Sequence, residues 1–143
     1  MAIDGEEPPI GGPAAPNILP FPGKRGPGGD KAPAQILDSD IANAARLAKQ
    51  FGQDMRFTAA RGWFAWDGRR WAADEKTVRV QAMAKATAKS IFDEIGDAPD
   101  PRAMFRHAQR SQSKNAIEAM IWLTRSEPGI LAQITDFDAN GWL

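Results

Sequence analysis

Apolar positions become periodic only from about residue 38 onward. In DSDIANAARLAKQFG, residues 38–52, the positions Ile41, Ala44, Ala45, Leu47, Ala48 and Phe51 recur at helical spacing. Ser39 or Asp40 supplies an N-cap and Gly52 a stop, so a helix of about three turns is predicted. The pattern then changes to strands. MRFT reads as one strand, AARG as a turn and WFAW as a second strand. Asp67-Gly68 has the composition of a two-residue type I′ turn, with RRW as the return strand. That register sets Trp66 opposite Arg69 and Phe64 opposite Trp71. Phe64, Trp66, Arg69 and Trp71 then share one face, and Trp63, Ala65, Arg70 and Ala72 the other. A one-residue slip would exchange the two faces.

A long helix is expected over about 75–95, where Val80, Ala84, Ala88, Ile91, Phe92 and Ile95 recur with Met83 alongside. GDAPD breaks it. Asp100 then caps a further helix with Pro101 at its first position, carrying Met104, Phe105 and Ala108. Ser111 and Ser113 compete for backbone hydrogen bonds and mark a pause. KNAIEAMIWLTRS resumes the helix through Ile117, Met120, Ile121 and Leu123, until Pro128-Gly129 ends it. LAQITDFDANGWL reads as short and irregular. Its Trp142-Leu143 end, apolar at a free carboxyl terminus, leads us to expect a fragment or a domain lacking its continuation.

Residues 1–36 show no apolar periodicity and hold eight of the eleven prolines and seven of the thirteen glycines. Such a segment buries too little surface to offset its ordering entropy, so a disordered tail is expected there. The ordered part, 37–143, is then a mainly helical α+β domain with one small antiparallel hairpin or meander. Formal net charge is zero, so only a local basic patch could favour nucleic acid. The absence of cysteine excludes disulfides and thiolate metal sites. No apolar run approaches the roughly 18 residues of a membrane span, so no membrane partner and a cytoplasmic location are expected.

Chemistry-bearing residues are few. His107 is the one histidine and reads as a polar helix-face residue. Asp136 and Asp138 are two acids without a glycine-centred cation loop. Neither G-x-x-x-x-G-K-[ST] nor G-x-G-x-x-G occurs. No catalytic, cofactor or metal site is therefore predicted. The basic residues form a clearer pattern: Arg102, Arg106, Arg110 and Lys114 step by four, a spacing that can follow a phosphate backbone. Lys85 and Lys89 form a smaller pair. Trp66 and Trp71, with Arg69 nearby, would suit base stacking if their face is open, and core packing if it is not.

The order of these pieces carries a resemblance. The motifs are W-x-x-W-D-G-x-x-W over 63–71, S-E-P-G-I over 126–130 and D-x-D-x-x-x-W-L over 136–143. Together they resemble the region preceding the ATPase in phage and plasmid primase-helicases, the superfamily III group with the poxvirus-type helicase-primases. Gly141 stands where that family commonly has proline. The resemblance spans residues 38–143 and implies an accessory domain in DNA replication, in a phage or prophage setting. It also implies contact with DNA and with a helicase ATPase domain or subunit, possible homo-oligomerisation, and no ATPase site of its own. Arg102, Arg106, Arg110 and Lys114 are the expected phosphate contacts, with Trp66, Arg69 and Trp71 at a base or a neighbouring subunit. The alternatives are a pure protein-interaction module docking a helicase subunit and a truncated prophage remnant. A stand-alone enzyme has little support.

Overall fold

A computed structural model describes residues 36–139. All of the tail read as disordered except Ile36, and the Trp142-Leu143 end, lie outside them. The elements are α1 (Asp40–Phe51), β1 (Met55–Thr58), β2 (Gly62–Trp66), β3 (Trp71–Ala73), α2 (Val78–Ser90), α3 (Pro101–Arg110), α4 (Lys114–Thr124) and α5 (Ile134–Ala139). Tighter helical segments, Glu75–Thr77 and Ile91–Asp97, precede and follow α2. The predicted α+β class holds: helices surround one three-stranded antiparallel sheet of order β1-β2-β3. Among the described residues no helix is long and apolar enough to cross a membrane.

Local chemistry starts each element. The hydroxyls of Ser39 and Ser113 and the carboxylate of Asp100 accept from the backbone N–H three residues ahead, opening α1, α4 and α3. Ser113 thereby breaks the helix at the expected pause, with Lys114 starting the second piece, off the row of the three arginines. Gly52 ends α1 in a right-handed conformation rather than the left-handed one usual for a glycine stop. A Cβ there would run into the Ala48 carbonyl oxygen. The start of α2 has an unusual cap. Lys76 and Thr77 are both left-handed, with φ of 64° and 59°, a costly state for a β-branched residue. The buried Asp74 carboxylate reaches past them to accept from the N–H groups of Arg79 and Val80 at 3.0 and 2.9 Å.

The principal core gathers Leu47 of α1, Val80, Ala84 and Ala88 of α2, and Ile117 and Met120 of α4 against Met55 and Trp63 of the sheet. Burying each large apolar side chain contributes about 1.5–3 kcal/mol. The α1 stripe is rotated from its expected position: Ile41 is 70% exposed and Ala45 is exposed, while Asn43 is fully buried. Polar pairing explains the rotation. Asn43 Nδ2 donates to Ser111 Oγ at 2.9 Å, and Asn43 Oδ1 accepts from Arg46 Nη1 at 3.0 Å. His107 Nε2 lies 2.9 Å from the same Oδ1, which makes the histidine the donor. Arg46 in turn forks onto Glu94 at 2.7 and 2.8 Å. His107 is thus a polar helix-face residue, as its sequence context suggests, but on the buried face, where it ties α1 to α3.

The stretch after α4 is more ordered than its sequence implied. Gly129, at φ 84°, turns the chain so that Ile130 O accepts from Phe57 N–H and Phe57 O from Ala132 N–H, a parallel bridge beside β1. Helix α5 follows and lays Phe137 on the sheet.

Replacing Asp74 with alanine leaves two α2 N–H groups without their acceptor; an expected loss of about 1–2 kcal/mol is read from denaturant unfolding. His107 is held below its ordinary pKa by burial, then by the nearby Arg46 and Arg110 charges. The unfolded chain therefore takes up a proton, near pH 6.5, that the fold resists. Stability is expected to be full above about pH 6.5 and to fall as pH drops below it, with a slope of at most about 1.4 kcal/mol per pH unit. Urea titrations between neutral and mildly acidic pH check this, and His107→Gln should remove that part of the slope.

Candidate nucleic-acid interface

The hairpin register decides what the tryptophans can do. Trp66 pairs with Trp71, Ala65 with Ala72 and Phe64 with Ala73. The loop is therefore Asp67–Arg70, four residues rather than the two expected. Asp67 builds it. Its carboxylate accepts from the N–H groups of Arg69 and Arg70 at 2.8 and 2.9 Å, and its own N–H donates to the Arg70 carbonyl. The same N–H groups, Arg70 first and Arg69 second, hold the Asp67 carboxyl below its ordinary pKa. The slip is two residues, so Phe64, Trp66 and Trp71 still share a face, but Ala73 replaces Arg69 on it. The physical reason lies across the sheet. That face carries Phe137 stacked on Phe64 at 5.0 Å, with Trp71 edge-on to Phe137 at 5.9 Å and to Trp66 at 5.5 Å. A two-residue turn would have put an arginine into this aromatic cluster.

Trp71 is only 6% exposed, and Arg56 covers its ring at 4.9 Å while donating to the Gly52 and Met55 carbonyls. Burial pushes the Arg56 guanidinium below its ordinary pKa, against the opposing pull of Asp54. Trp71 therefore sits as an anchor under α5. Trp66 is half-buried beside it, whereas Arg69 and Arg70 are exposed at the loop tip. Arg70 lies 3.6 Å from the Asp67 carboxylate.

Arg102, Arg106 and Arg110 fall on the exposed side of α3, one turn apart. The inner side packs Met104 and Ala108 on Ile91 and presents His107 to Asn43. Among the described residues, no carboxylate comes within ion-pair distance of these three arginines. Lys114 does not extend their row. It belongs to α4, 3.8 Å from Glu118, and faces the groove between α2 and α4.

Trp122 escaped the sequence reading. It is 63% exposed on α4, with Arg125 over its ring at 4.6 Å and over Phe57 at 5.0 Å. Phe57 meets Trp63 edge-on at 5.2 Å. A signal was available: Trp122 falls off the Ile117, Met120 and Ile121 stripe, so a helix buried on that stripe must show it to solvent.

Among the described residues, no group of three or more histidine or acidic side chains could hold a metal ion. Asp136 accepts from Gln133 N–H at the start of α5. Neither a curated protein nor a solved structure matches the chain. A family model does: the one described as D5 N terminal like matches residues 44–143, nearly the whole span that carries the motif resemblance. With most of its length matched, the chain belongs to the D5 N-terminal-like family, the N-terminal domain of D5-like primase-helicases, and is a primase-helicase-associated domain of DNA replication.

Proposed function

We propose that this is a DNA-contacting accessory domain that steadies the nucleic acid beside a helicase ATPase, acting by binding and assembly rather than bond breaking. The observation that carries this reading is the α3 surface. Arg102, Arg106 and Arg110 repeat at one-turn spacing, are exposed, and have no ion-pair partner among the described residues. Guanidinium groups repeated along a helix suit phosphate oxygens and carry no base preference. Asp100, the acid nearest the start of this row, turns its carboxylate to the Ala103 N–H. The structure supports Arg69 at the hairpin tip as a further backbone contact better than it supports Trp71, whose ring is covered. Family membership supplies the replication setting. DNA contact and assembly with an ATPase subunit are our proposal.

The test is DNA binding across a salt series. Each phosphate contact contributes a slope of about 0.9 in log affinity against log salt on duplex DNA. Replacing Arg102, Arg106 and Arg110 together with glutamine is expected to lower that slope by roughly 2–3 and to weaken binding at least about tenfold at moderate salt. These side chains are exposed, so the fold should persist. If the triple variant binds duplex DNA with the parent's affinity and slope, the phosphate role fails and docking onto a helicase subunit takes its place.

A further inference from the structure

A cleft of about 520 Å³, a volume suited to a small-molecule-sized group, is lined by residues of α2 and α4. Its walls carry Lys76, Lys85, Lys114 and Arg125 against one carboxylate, Glu118. This lining is strongly cationic in a chain whose formal net charge is zero. Glu118 is itself engaged by Lys114 at 3.8 Å. Trp122 lines the same cleft. Arg125 lies over its ring at 4.6 Å, yet 63% of the residue stays open. The two residues in left-handed conformation, Lys76 and Thr77, also line it. Strain of this kind persists where the surrounding structure over-determines it, here across the turn that the Asp74 carboxylate closes onto α2.

We propose that this cleft binds a nucleotide: its phosphate between Lys76, Lys85 and Lys114, and its base on the open surface of Trp122. The geometry pairs the two halves of that ligand. Lysines lining one cleft suit an anion, and an exposed indole with a guanidinium over its ring offers a flat apolar surface to a π-system. An acidic peptide would use the cations but leave the tryptophan idle. An apolar ligand would use the tryptophan but leave the cations without partners. The nucleotide has two possible sources, a unit of a single strand or a free nucleoside phosphate. The site uses none of the α3 arginines, so it stands or falls separately from the phosphate contact proposed for that helix.

The test uses the full chain with two probes, fluorescein-labelled oligothymidylate and ATP, in direct binding and in competition. Saturable oligothymidylate binding that ATP displaces would show that the site takes the unit from either source. Binding of one probe alone would assign it to that source. Trp122→Ala is expected to weaken the bound probe about tenfold or more, with Trp122→Phe retaining most of the affinity. The pair Lys76→Glu and Lys85→Glu, which removes no buried contact, should weaken it comparably while duplex binding through α3 is unchanged. Thermal unfolding of each variant confirms that the fold is kept. The proposal is overturned if the parent binds neither probe saturably, or if Trp122→Ala and the lysine pair both bind as the parent does.

Discussion

The structure depends on burying both faces of a sheet that is too small to stand alone. A three-stranded sheet with strands of three to five residues needs cover to be stable. One face turns Met55 and Trp63 into the core shared by α1, α2 and α4. The other turns Phe64 and Trp71 toward Phe137, carried back by the chain that follows α4. Because side chains alternate along β2, neighbouring residues Trp63 and Phe64 serve opposite cores. The dense tryptophan stretch is thus two sets of anchors interleaved on one strand. This leaves Trp66, half-buried, and Trp122, on another element, as the described tryptophans with substantial open surface.

The same constraint places the cations. The Asp67-capped loop holds Arg69 and Arg70 outside the aromatic cluster, while Arg56, on the covered face, lies over the Trp71 ring. On the helices, buried polar pairing does comparable work. Asn43, Ser111 and His107 satisfy one another between α1 and α3, and in doing so orient α3 with its three arginines outward. Three groups of the described cations consequently fall in separate places: the α3 surface, the hairpin tip and the cleft between α2 and α4.

Membership of the D5 N-terminal-like family fits this organisation. The family places the domain in DNA replication, and the segregated cations are the feature on which the proposed DNA contact rests. The proposed nucleotide cleft adds to the α3 surface a second kind of contact, one that distinguishes an exposed base from a duplex backbone.

Much of this was legible in the sequence, because the relevant physics is local. The N-caps of Ser39 and Asp100, the hairpin between WFAW and the following tryptophan, the helical periodicity of Val80 to Ile95 and the break at SQS all rest on interactions within a few residues. The family resemblance, too, was carried by short motifs around these features. The tertiary structure decided what local chemistry leaves open. A turn of two or four residues is set by which side chains Phe137 must cover, some 70 positions away. The rotation of α1 is set by partners at Ser111 and His107. Lys114 leaves the arginine row because a serine cap restarts the helix, and it joins Lys76, Lys85 and Trp122 only when α2 and α4 pack. Periodicity states which residues can share a face, but what meets that face depends on contacts between residues distant in the chain.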